Sequence, residues 1–224
     1  MVESNGTSAD YEKYVRVPVN AEPVKWTSLK EMTAEDSNRA SEAERPFAAD
    51  YANRVIDHFK SFKSMAVGNE GLPVTRYEHM LQCATRAHLD GRDEEYVVCA
   101  LLHDIGDLLG FYNHQDIAAA ILKPFVSEKN LWMVQQHALF QGYYFFHHHG
   151  GDRNARDKFR DHPHFEYAAE FCEKYDQCAF DPAYNSQPFA FFEPMVRRVL
   201  ERPSWSQEGE QSSGVEGQIQ TSTA

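Results

Sequence analysis

A histidine and an aspartate, His103 and Asp104, stand side by side inside the apolar run from Ala100 to Leu109. Such a run goes to the protein interior, where an ionised carboxylate is costly unless a cation neutralises it. A metal ion shared by imidazole and carboxylate does this. Asp107 follows one helical turn later and shares their face if the helix continues. His79 lies upstream, and His114, His137 and Asp176 lie downstream. Each has an ordinary explanation when taken alone: a hydrogen-bonded core histidine, a helix cap at His114, a cap or ion pair at Asp176. With Asp107 set aside, His79, His103, Asp104, His114, His137 and Asp176 are six hard or borderline donors, one or two per segment, of the kind that meet at the centre of a helical bundle.

The apolar period supplies helices to carry these donors. Between Tyr77 and Leu89, His79, Cys83 and Ala87 recur at helical spacing, Met80, Leu81 and Ala84 widen the stripe, and Asp90 and Gly91 provide a stop. An antiparallel partner joined through Gly91 brings His79 to His103 and Asp104. That partner begins at the acidic triplet Asp93-Glu94-Glu95, is predicted to run to Leu109, and is apolar nearly all round, which makes it central. Further helices are predicted over 46–66, 114–123, 127–148, 163–175 and 188–201, punctuated by Pro124, Gly150, Gly151 and Pro182. No alternating strand series occurs, so the expected fold is an all-α, irregular helical bundle with a metal site at its centre. Residues 1–45 read as an extended N-terminal arm, ordered only where Val15, Val17, Val24 and Trp26 dock, and 46–203 as the helical domain. The Ser/Gly/Gln/Glu-rich residues 204–224 read as a disordered tail.

Composition narrows the partners. With 22 Lys and Arg against 34 Asp and Glu, the 224-residue chain carries a net charge of −12, which disfavours nucleic acid and anionic lipid. No stretch is apolar enough for a membrane span, and the polar start from Met1 to Asp10 does not resemble an export signal. The four cysteines, Cys83, Cys99, Cys172 and Cys178, include no C-x-x-C pair and read as reduced thiols, which points to a cytoplasmic location. Neither G-x-G-x-x-G nor a P-loop is present, and a small-molecule partner is expected.

The order His, His-Asp, His, His, Asp resembles the HD-domain superfamily and, more narrowly, its branch of mixed-valent diiron oxygenases. The resemblance covers about residues 69–201. It is carried by Glu78-His-Met-Leu-Gln-Cys-Ala84, by Ala100-Leu-Leu-His-Asp-Ile-Gly106 and by Asp176 in Glu173-Lys-Tyr-Asp176. The resemblance implies that His79, His103, Asp104 and Asp176 hold one iron and that His114 and His137 hold the second, with Asp104 bridging. It further implies two iron ions (Fe2+/Fe3+), O2 as co-substrate, and oxidative cleavage of a C–C or C–P bond in a small hydroxylated substrate. Most HD proteins are instead phosphohydrolases, for which Mn2+ or another divalent metal would serve, and that alternative stays open here. A non-catalytic, metal-stabilised module is a third reading.

The departures from the branch matter as much. Where its members carry Lys or His, this chain has Asp107, and where they carry Lys one turn after the last histidine, it has Gln141. Asp107 is expected either to contact an amine-bearing substrate or to bond a ligand histidine. Asn69 and Leu72 stand where a gating Tyr and Glu occur. The aromatic run Phe140 to Phe146 reads as helix core or as a surface for a cationic substrate group. The triplet His147, His148, His149 points in several directions on a helix. Arg153, Arg156 and Arg160 are read as surface ion pairs or anion contacts.

Overall fold

Thr33 opens the first helix with a reciprocal cap: its hydroxyl accepts from Asp36 N at 3.1 Å, while the Asp36 carboxylate accepts from Thr33 N at 3.0 Å. The computed structural model describes residues 25–64 and 71–202. The described residues fall into two units that divide between Asp50 and Tyr51. In the first unit the cap starts α1, Ala34–Ala49, of which no residue is buried. The extended arm expected through residue 45 is therefore helical from Ala34. The capping box satisfies the orphaned first-turn N–H groups without any apolar stripe, so periodicity gave no sign of it. Trp26 is half-buried, whereas Val15, Val17 and Val24 lie outside the described residues, as do 203–224.

The second unit is an irregular bundle, and the described residues include no strand, in keeping with the all-α expectation. Helix α2 (Tyr51–Ser64) turns Ala52, Val55, Ile56, Phe59 and Phe62 inward. Helix α3 (Arg76–Leu89) starts at a second capping box, Thr75 with Glu78, and ends at Asp90 before Gly91, whose φ of +77° suits glycine. Helix α4 (Glu94–Leu102) is capped by Asp93, which accepts from Tyr96 N at 2.9 Å. It is buried from Tyr96 through Leu102 and packs along α3, as a central helix should.

The predicted continuation of α4 to Leu109 does not form. Past Leu102 the chain turns in tighter steps, Ile105 N to Leu102 O, Asp107 N to Asp104 O and Leu109 N to Gly106 O, all one residue shorter than an α turn. Gly106 requires this: a Cβ there would lie 2.3 Å from His114 O and 2.8 Å from Ile117 Cβ. The close approach seats the start of α5 (His114–Leu122) directly on the His103–Asp104 turn.

Helix α6 (Glu128–Phe145) packs against α5 and α7 and runs into a 3-10 turn, Phe146–His149, closed by Gly150 at φ +76°. Helix α7 (Phe165–Phe171) widens into a π turn, Cys172–Asp176, with Gln177 N bonded to Cys172 O at 3.0 Å. Helix α8 (Phe189–Leu200) lies against α2 and α4, with Arg198 paired to Glu94 at 2.6 Å. All four cysteines are free thiols, with Cys83, Cys99 and Cys172 buried.

Candidate metal centre

Three histidines are oriented by their own turns. The Nδ1 of His103 lies 2.9 Å from Ala100 O, that of His114 3.1 Å from Phe111 O, and that of His137 2.7 Å from Val134 O, each carbonyl three residues back. His79 reaches a distant carbonyl instead, Ala179 O at 3.1 Å, and Phe180 stacks on its ring at 4.5 Å. A carbonyl only accepts, so each Nδ1 carries the hydrogen and each Nε2 presents a lone pair.

These lone pairs converge. The Nε2 atoms of His79 and His103 are 3.2 Å apart, and so are those of His114 and His137. Asp104 lies between the two pairs. Its Oδ2 is 3.5 Å from His79 Nε2 and 3.3 Å from His103 Nε2, and its Oδ1 is 3.0 Å from His137 Nε2 and 3.4 Å from His114 Nε2. Asp176, aimed inward by the π turn, puts Oδ1 3.3 Å from His79 Nε2 and 3.8 Å from His103 Nε2. All six residues with expected ligand roles are thus brought together, from α3, the turn after α4, α5, α6 and the end of α7.

Electrostatics favours a cation here. Burial alone would raise the Asp104 carboxyl, yet His103 and His137 hold it well below the carboxylate range. Asp176 is lowered against the same burial by His79, His103 and His137. Burial opposes charge on His79 and His137, but Cys83 and Asp176 for the first, and Asp104 for the second, raise both. The same groups attract a divalent metal, and imidazole nitrogen with carboxylate oxygen suits iron, manganese or zinc. Close donor groups capable of holding an ion are His79, Cys83, His103 and Asp176; His103, Asp104 and His137; and Asp104, Asp107 and His114.

Gln141, one turn after His137, donates from Nε2 to Asp176 Oδ1 at 2.7 Å. Asp107 forms an ion pair with Arg76, and its Oδ1 is 3.3 Å from His114 Nδ1. Burial and the charge of Asp104 push its carboxyl up, against His114 and Arg76. Arg76 was not singled out by sequence, since a residue opening a helix after a cap carries no signal of a partner in the next turn. Cys83 read only as core, but its Sγ is 3.7 Å from His79 Nε2. Burial pushes that thiol up to about 11, and it donates to Tyr175 O at 3.5 Å.

Other expected candidates stay away from the cluster. His147, His148 and His149 are exposed, because the 3-10 turn carries them past the end of α6. Phe140 is core, and the cations against the aromatic run are the protein's own: Arg153 and Arg156 lie 4.2 and 3.9 Å from the Tyr143 ring centre. Arg160 pairs with Asp157 at 2.7 Å. Leu72 is exposed, and Asn69 lies outside the described residues.

No helix among the described residues is long and apolar enough to cross a membrane. No protein-family model matches the chain. It is similar to the 1-hydroxy-2-(trimethylamino)ethylphosphonate dioxygenase (glycine-betaine-forming) of Leisingera caerulea, with 37% identity over 84 residues. The match spans 33% of this chain and 43% of that relative, less than half the relative's length. The relative is a dioxygenase that acts on a small phosphonate.

Proposed function

We propose that this chain is an HD-type, diiron-dependent oxygenase that uses O2 to cleave a C–C or C–P bond of a small hydroxylated, amine-bearing substrate. The observation that carries the reading is the division of Asp104: one carboxylate oxygen faces the His79–His103 pair and the other faces His114–His137. A carboxylate shared in this way fits two adjacent metals better than one. In this reading His79, His103, Asp104 and Asp176 hold the first iron, and Asp104, His114 and His137 the second. The substrate in the name of the similar dioxygenase carries a hydroxyl, a trimethylamino group and a phosphonate, which supports the substrate class proposed here.

An iron pair supplies redox chemistry with O2 when bound. The chain supplies the rest. The four backbone carbonyls hold each imidazole with Nε2 inward, so no ligand has to rotate when metal or substrate binds. Gln141 holds one Asp176 oxygen and keeps that carboxylate from swinging. Asp107 acts on His114 rather than on the substrate amine, because Arg76 already neutralises it. Phe171, fully buried with its ring 5.4 Å from that of His103, helps exclude bulk water from the reacting region.

The test is metal analysis of anaerobically purified protein, followed by low-temperature electron paramagnetic resonance after partial oxidation. Two irons per chain with a coupled mixed-valent signal, and O2 uptake with hydroxylated amines or phosphonates, are expected. A single or redox-silent metal with phosphate released from model esters would replace this reading with the phosphohydrolase one.

A further inference from the structure

His114 is the least enclosed of the four imidazoles. Its side chain is 19% exposed, against 4% for His79, 0% for His103 and 1% for His137. The other three sit within packed segments, whereas His114 follows the short 3-10 turn Phe111–Asn113 at the very start of α5. Packing alone does not fix such a ring, so its orientation depends on what its Nδ1 meets.

Two acceptors meet it. Phe111 O lies 3.1 Å away and Asp107 Oδ1 3.3 Å away. The Asp107 side chain is almost fully buried, its Oδ1 makes no full hydrogen bond, and His114 Nδ1 stands 3.3 Å from that oxygen. Behind both acceptors stands Arg76, whose guanidinium pairs with Asp107 Oδ2 and lies 5.3 Å from the centre of the Phe111 ring. A carboxylate this buried cannot keep its charge and position without a counter-ion. Arg76 occupies the first position of α3, one turn before His79. A single side chain on the helix that carries His79 therefore reaches across to the group that orients His114.

We propose that Arg76 is a positioning residue for His114, acting through Asp107 and Phe111, and that it ties the second metal position to the helix that carries the first. The metal readout rests on the diiron reading above; the ring readout does not. Lysine cannot replace it fully, because a single ammonium cannot both pair with Asp107 and place a broad, delocalised cation over the Phe111 ring.

Two measurements test this in the full-length protein. In metal-free wild type, nitrogen-detected NMR of the histidine rings should show His114 as the single Nδ1–H tautomer. In Arg76→Ala a mixture of tautomers should appear, and guanidinium chloride at non-denaturing concentration should restore the single form through the partly exposed Arg76 position. In iron-loaded protein, Arg76→Ala should lose at least half of the second iron and the mixed-valent signal while keeping the first iron, with Arg76→Lys intermediate. Should Arg76→Ala fail to fold, Arg76→Lys and Asp107→Asn carry the same two readouts. An unchanged His114 tautomer together with full retention of both irons overturns the proposal. If wild type binds no second iron, the diiron reading fails, and the tautomer result alone then decides the role of Arg76.

Discussion

The Nε2 atoms of His79 and His103 face each other at 3.2 Å, with each Nδ1 hydrogen already given to a backbone carbonyl. Two lone pairs at that distance repel unless a proton or a metal lies between them. Metal binding should therefore stabilise the fold. A divalent ion at a hundredfold excess over its Kd adds about 2.7 kcal/mol, which for a chain of this size raises Tm by about 5–10 °C. Calorimetry with Fe2+ or Mn2+, followed by chelation, measures this. No shift with either ion would remove the metal centre from consideration.

The two halves of the centre should also separate by mutation. Asp176→Asn removes a carboxylate whose neighbouring imidazoles are His79 and His103, whereas His137→Ala removes a donor that faces His114 and Asp104. Metal titration is expected to show the first variant weakened at one position and the second variant at the other, each by about 10–100-fold. Asp104→Ala, which touches both, should weaken both. Equal losses in all three variants would indicate one metal shared by all donors.

Gly106→Ala forces a methyl group against His114 O and Ile117. Backbone cannot move aside as a flexible side-chain end can. The substitution should cost about 1–3 kcal/mol and displace the start of α5. Its signature is a lower Tm combined with loss of metal affinity at the His114 position, read by thermal denaturation and metal titration together.

Stability should depend on pH through a residue remote from the centre. Glu95 on α4 accepts from Ser127 N at 2.7 Å and Asn130 Nδ2 at 2.8 Å, and pairs with Arg202 at 2.8 Å. Burial would raise its carboxyl, but the Ser127 hydrogen bonds, Asn130 and Arg202 outweigh it and lower the carboxyl. Because the folded value is depressed, this contribution is fully present above the ordinary carboxylate range and is lost as pH falls through the folded value. Glu95→Gln should lower Tm by about 3–6 °C at pH 7, and the gap between variant and wild type should close progressively in acid.

The sequence announced the bundle wherever packing follows the helical period. The α3 stripe of His79, Cys83 and Ala87 is buried as its spacing requires, and α5 spans His114–Leu122, close to the predicted 114–123. Helix α1 escaped notice before residue 46, because its only signal there is a cap and none of its residues is buried. The α4 stop at Leu102 was hidden because the apolar run to Leu109 fits a helix and tight turns equally well; only the approach of His114 to Gly106 decides between them. Candidate ligands were legible because buried His and Asp are expensive and therefore informative. Their partners were not: Ala179 O and Arg76 belong to segments that only the tertiary fold brings near.

The π turn at Cys172–Asp176 sets the order in which the centre can be completed during synthesis. A chain emerging from its N-terminus has Asp104, His114 and His137 available once α6 has formed. The His79–His103 pair waits for a carboxylate that arrives 35 residues after Gln141. His79 waits longer still, since the carbonyl that orients it stands 100 residues away at Ala179. Closing so long a loop is slow relative to forming the local helices. The last carboxylate to arrive thus belongs to the more deeply buried half, and a chain released before residue 176 would carry α2 to α6 but lack both Asp176 and α8.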